Sequence, residues 1–156
     1  MFKIKIICLG KFKENAYISL EKEYLKRLSS FAKVKVIELS EVPYRTDDAI
    51  SKAKQKEADQ IIKYLPKDGI IILLEEKGQL RDSHQFASFL ERIGNLGQEL
   101  VFVLGSGVGL DESLKAYANY TMSLSKLTYP HNLARILLEE QLYRAGTILS
   151  GKKYHK

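Results

Sequence analysis

Five short apolar runs alternate with five segments of helical period along this chain, and that alternation admits few folds. Strands separated by amphipathic helices build an α/β domain on a mainly parallel sheet with helices on both faces. The strands read as Lys3–Leu9, Lys33–Leu39, Gly69–Leu74, Leu100–Leu104 and Tyr120–Leu124. The run Gly-Ile-Ile-Ile-Leu-Leu at 69–74 is apolar on both faces and predicts a central strand. Lys33–Leu39 alternates Val34 and Val36 with charges, as a half-exposed strand near a sheet edge does.

The spacing predicts a helix over Glu14–Ser30 with Leu20, Tyr24 and Leu28 on one stripe. A second runs over Asp47–Leu65, with Ile50, Ala53, Ile61 and Leu65 inward and Lys52, Lys54, Lys56, Glu57 and Asp59 in water, and Pro66-Lys67-Asp68-Gly69 stops it. Glu75–Gly78 reads as an exposed loop. Ser83 reads as the cap of a helix carrying Phe86, Phe89, Leu90 and Ile93, and a short helix follows Asp111. The last helix, Asn132–Leu149, presents Leu133, Ile136, Leu137, Leu142 and Ile148, a broader apolar surface than one small sheet needs, which predicts burial against a second subunit.

A chain of 156 residues at 45% hydrophobic content can bury one ordinary core, so 1–156 reads as a single domain with no room for a second, substrate-binding one. Lys and Arg number 25 against 19 Asp and Glu, a formal charge of +6 that favours polyanionic partners. With Cys8 alone, in an apolar run, neither an internal disulfide nor a cysteine zinc site can form. No segment reaches the roughly 18 apolar residues of a membrane span. A cytoplasmic protein without metal or membrane association is the expectation.

Ligands of open parallel sheets collect beyond the carboxyl ends of the strands. Two loops there are rich in possibilities. Gly105-Ser106-Gly107-Val108-Gly109-Leu110 lets backbone approach a ligand, yet it matches neither the dinucleotide fingerprint nor a phosphate loop and suits a plain tight turn equally. Ser123-Leu124-Ser125-Lys126-Leu127-Thr128-Tyr129-Pro130-His131 gathers hydroxyls, a cation and a proline before a helix, as either a pocket or a connector would. His131 reads as a capping or packing residue and His84 as surface.

In order, Gly-Ser-Gly-Val-Gly-Leu, Leu-Ser-Lys-Leu-Thr-Tyr-Pro-His, Glu140-Gln141-Leu142-Tyr143-Arg144-Ala145 and the terminal Tyr154-His155-Lys156 resemble one family from end to end. It is the ribosomal RNA large subunit methyltransferase H family, the pseudouridine N3-methyltransferases of the SPOUT superfamily. The family usually carries Gly-Gly where this chain has Gly105-Ser106, and serine is small enough to leave a pocket open.

The resemblance implies an α/β-knot fold with a trefoil knot in the carboxyl half. It implies S-adenosylmethionine bound by Leu74, Gly105, Leu124, Ser125, Lys126, Leu127, Thr128 and Tyr129, and methylation of N3 of a pseudouridine in 23S ribosomal RNA on the assembled ribosome. His155 would accept or relay the proton, Tyr154 would stack on or hydrogen-bond the base, and Arg144 would supply positive charge. It further implies an antiparallel homodimer in which both chains shape the site. Lys11, Lys13, Lys22, Lys26, Arg27, Lys152 and Lys153 are candidate phosphate contacts. The rivals are a SPOUT enzyme acting on a ribose 2′-hydroxyl or another base, and a non-catalytic basic RNA-binding protein.

Overall fold

The computed structural model describes residues 1–154. Its elements are β1 (Phe2–Leu9), α1 (Asn15–Leu28), β2 (Ala32–Leu39), α2 (Ile50–Ile62), β3 (Gly69–Leu80), α3 (Ser83–Gly94), β4 (Glu99–Leu104), β5 (Tyr120–Ser123) and α4 (His131–Leu149). Short 3₁₀ turns at Asp47–Ala49 and Glu112–Tyr117 complete the set. The five strands form one parallel sheet in the order β2-β1-β4-β3-β5.

Period-two alternation sorts the strand residues between two cores. Ile4, Ile6, Ile70, Ile72, Leu100 and Phe102 face α1, α3 and α4, where Leu28, Phe86, Leu90, Ile93, Leu138 and Leu142 cover them. Ile7, Leu9, Ile71, Leu73, Val101 and Val103 face the other way, onto Ala58 and Ile61 of α2 and Leu114. Helices therefore cover both faces, as the alternation predicts. β2 is an edge strand, with Lys33 and Lys35 exposed along it.

Several local expectations are corrected. Glu75–Gly78 is no simple loop: β3 continues to Leu80, and Met122 is the register partner of both Leu74 and Gln79, so four residues bulge between two stretches of ladder. Gly78 passes so close to β5 that a Cβ there would lie 2.4 Å from the Met122 carbonyl carbon. Asp82, not Ser83, caps α3: its carboxylate accepts from the Gln85 N–H at 2.7 Å, and the Gln85 side chain accepts from the Asp82 N–H at 3.0 Å. Ser83 instead donates to Gln141 on α4 at 3.1 Å. Leu20 lies outside the α1 stripe, 43% exposed, and Glu57 is not in water but 3% exposed. On α4, which packs on α1 and α3, Ile136 and Leu142 are buried within the chain, while Leu133, Leu137 and Ile148 remain half-buried.

Candidate functional site

Leu74, the last residue before the β3 bulge, is in register with Leu104 on one side and Met122 on the other, so three loops, the bulge and those after β4 and β5, lie side by side at one edge of the sheet. That edge gathers Leu74, Gly105 and the stretch Leu124, Ser125, Lys126, Leu127, Thr128 and Tyr129. Thr128 Oγ1 donates to Glu76 Oε1 at 3.2 Å, tying the last loop to the β3 bulge. The Ser125 hydroxyl accepts from the Leu127 N–H at 2.9 Å, and the Ser123 hydroxyl donates to the Ser125 carbonyl at 2.8 Å. Between Lys126 and Tyr129 the main chain makes no other hydrogen bond among the described residues. Leu127 stands 71% exposed. Half-buried Leu74 and Leu124 supply apolar surface next to these open backbone groups. Backbone polar groups beside apolar side chains are what an adenine ring and its edge require.

The glycine loop closes on itself. Gly109 N–H donates to the Ser106 carbonyl at 2.9 Å, Gly109 has φ +80°, and a Cβ on Gly105 would lie 2.7 Å from the Gly109 carbonyl carbon. Gly105 is thus required by the loop's own backbone. Ser106 is 9% exposed and its hydroxyl donates to Glu57 Oε2 at 2.8 Å, while Glu57 Oε1 accepts from the Val42 N–H at 2.9 Å. The sequence did carry a signal for Glu57, because it falls four residues after Ala53 and four before Ile61 on the inward stripe of α2.

α4 starts at this same edge, with Pro130 at its N-cap position. His131 caps nothing; its Nε2 lies 2.9 Å from Glu41 Oε1. A cleft of about 390 Å³ opens beside it, lined among others by Lys11, Lys13, Glu41, His131 and Asn132. His84 is exposed, as expected.

The proposed chemistry of the tail lies elsewhere. Arg144 donates to Glu140 Oε1 through Nη2 at 2.6 Å and Nε at 3.1 Å, and sits 5.0 Å from the centre of the Tyr154 ring. The Tyr154 hydroxyl donates to the same Glu140 oxygen at 3.3 Å, and burial, reinforced by Glu140, pushes its phenol above the usual value. His155 lies outside the described residues. This end of α4 meets Phe31, whose ring would crowd any Cβ on Gly146 and whose carbonyl accepts from the Phe2 N–H at 3.0 Å. It therefore stands at the amino ends of β1 and β2. From His131 to Arg144 the helix rises about 20 Å at 1.5 Å per residue. Within one chain, the structure does not bring Arg144 and Tyr154 to the three loops.

A buried ionic group behind the cleft escaped the sequence reading. Arg135, 3% exposed, donates to Glu38 Oε2 at 2.8 Å, pairs with Glu21, and stacks 4.2 Å from the Phe12 ring centre. It joins α1, β2 and α4. Among the described residues no cluster of His, Cys, Asp or Glu could hold a metal ion, and no helix is long and apolar enough to cross a membrane.

Residues 2–155 match the family described as "Predicted SPOUT methyltransferase". The chain is 40% identical over 153 residues to the ribosomal RNA large subunit methyltransferase H of Caldicellulosiruptor saccharolyticus, covering 98% of this chain and 99% of that one. The protein of the same name from Pseudothermotoga lettingae is 41% identical over 153 residues, with the same coverage. That from Listeria monocytogenes is 38% identical over 157 residues, again at 98% and 99%. A solved structure, of "a probable methylase family protein" from Haemophilus influenzae, shares the fold at TM-score 0.55 and 14% identity, covering 98% of this chain and 70% of that one.

Proposed function

The chain belongs to the SPOUT methyltransferase family, and from that premise we propose that it transfers a methyl group from S-adenosylmethionine to N3 of a pseudouridine in large-subunit ribosomal RNA. Relatives about 40% identical along nearly their whole length carry the name of a ribosomal RNA methyltransferase, which supports RNA as the substrate. The observation that carries the donor site is the register of Leu74 with both Leu104 and Met122, which sets the β3 bulge beside the loops after β4 and β5. Gly105 and residues Leu124–Tyr129 would hold the donor through backbone groups, with Leu74, Leu124 and Leu127 flanking the adenine. The trefoil knot implied by the family would be formed by these same loops.

When bound, the donor supplies a methyl group already activated on a sulfonium, so the chemistry needs no metal. The chain's residues have three tasks: align the base for in-line attack, take the N3 proton, and favour the charge that develops as it leaves. We assign the proton to His155, base contact to Tyr154, and charge stabilisation to Arg144. Glu140 holds Arg144 and Tyr154 in one orientation, which supports their acting together.

Because Arg144 stands about 20 Å along α4 from the loops of its own chain, the reading requires a homodimer in which one protomer's tail completes its partner's donor site. Lys11 and Lys13 at one edge, and Lys152 and Lys153 beside the tail, are all exposed and suit phosphate contacts on a ribosome in the cytoplasm. The test is mass mapping of ribosomal RNA from cells lacking the protein. Loss of one methyl group at a single pseudouridine is expected. Loss at a ribose hydroxyl or another base would move the substrate, and no loss anywhere would remove the enzymatic reading.

A further inference from the structure

We infer that Glu57 is a positioning residue for the donor site, and this rests on the function proposed above. Its carboxylate clamps the glycine loop, through Ser106, to the segment that follows β2. Three observations converge on that role. Glu57 is 3% exposed and Ser106 9%, so their hydrogen bond is shielded from water. The second carboxylate oxygen is used as well, by the Val42 N–H at 2.9 Å. Glu41, the neighbour of Val42, holds His131, whose Nδ1 would lie 3.9 Å from a Cβ on Gly107.

The glycine loop is therefore gripped at Ser106 from behind and flanked at Gly107 from in front, and both supports lead back to residues 41 and 42. A loop with three glycines in five residues has little stiffness of its own. Gly105, the proposed donor contact, adjoins the clamped serine, so the position of Ser106 sets where the wall of the donor pocket lies. A site displaced by a fraction of an ångström loses affinity even when every group touching the ligand is intact. Glu57 contacts no reacting atom in this scheme; it acts through Ser106.

The experiment is calorimetric titration of S-adenosylmethionine into the full-length protein and its variants, with thermal melts alongside. Glu57→Ala is expected to weaken donor affinity about tenfold and Ser106→Ala about fivefold, with the double variant no weaker than Glu57→Ala, since either change removes the same contact. Glu57→Gln can still accept from Val42 and donate to the serine hydroxyl, so it should stay within about threefold of wild type. A merely structural role would lower melting temperatures while leaving the donor affinity of the folded variants unchanged, and that result overturns the inference. Additive losses in the double variant overturn it too. If Glu57→Ala does not fold, Ser106→Ala against Glu57→Gln decides: wild-type affinity in Ser106→Ala refutes the clamp. Failure of the wild-type protein to bind the donor would overturn the proposed function itself, and the inference with it.

Discussion

Glu139 has no exposed surface and lies one helical turn beyond Arg135 on α4, with its Oε1 3.8 Å from Arg135 Nε. That separation is too long for a hydrogen bond, and Glu139 lies against the carboxylate of Glu21, to which only its protonated form can donate. Arg135 is instead engaged by Glu38 and Glu21. Burial first, and repulsion from Glu21 second, push the Glu139 carboxyl up to about 9, against the pull of Arg135. One guanidinium with two partner carboxylates leaves the third acid neutral.

This predicts a pH-dependent stability with a definite sign. Between the ordinary carboxylate value and about 9 the folded chain holds a proton that the unfolded chain releases, so this group's contribution falls as pH rises. The slope is about 1.4 kcal/mol per pH unit at most. Glu139→Gln has no such proton, so urea unfolding at pH 5.5, 7 and 8.5 should show the variant gaining on wild type as pH increases. Parallel stability profiles would rule out a neutral buried acid.

Cys8 faces the same group. It is 3% exposed, its thiol is pushed up to about 12 chiefly by burial, and its Sγ lies 3.5 Å from the Ile37 carbonyl. Thiolate is the reactive form, and at pH 8 only about one thiol in ten thousand carries it. Native protein should resist iodoacetamide for hours at pH 8, while protein in urea should react within minutes. Rapid labelling of the folded protein would contradict the burial.

What was legible in the chain follows from what periodicity reports. Ile4, Ile6, Ile70 and Ile72 announce one core and Ile7, Val101 and Val103 the other, because a strand's period of two needs no tertiary knowledge. Charged residues defeat the same rule when other charges or polar groups satisfy them. Glu57 sits on the inward stripe of α2, yet its carboxylate argues for water until Ser106 and Val42 are seen to bind it. Arg135 and Glu139 are hidden for that reason also. Asp82 and Ser83 are adjacent capping types, and only Gln85, three residues after Asp82, decides between them. The bulge before Gln79 depends on β5, 43 residues further on, and leaves no local mark.

Two glycines face backbone that leaves no room for a side chain. At Gly78 the obstacle is the Met122 backbone, 2.4 Å from a built Cβ, which cannot move without breaking the ladder of β3 with β5. Gly78→Ala should therefore cost about 1–3 kcal/mol of stability, as overpacking does, read from the shift of the urea midpoint. At Gly105 the obstacle is backbone as well, the loop's own Gly109 and Leu110 at 2.7–3.0 Å from a built Cβ. Gly105→Val should likewise cost about 1–3 kcal/mol of stability, and it should abolish donor binding in the protein that remains folded. A variant that binds the donor normally would exclude this loop from the pocket.

The separation of Arg144 from the three loops leads to the sharpest test of a shared site. Gly105→Val should disable a protomer as donor binder, and Arg144→Ala should disable it as supplier of charge, so each homodimer is inactive. In a mixed dimer one of the two sites combines an intact Gly105 from one chain with an intact Arg144 from the other. Random pairing makes half the dimers mixed, each with one working site of two, so co-expression should restore about one quarter of wild-type activity. If each chain serves its own loops, no pairing can rescue either defect, and activity stays at the level of the single variants.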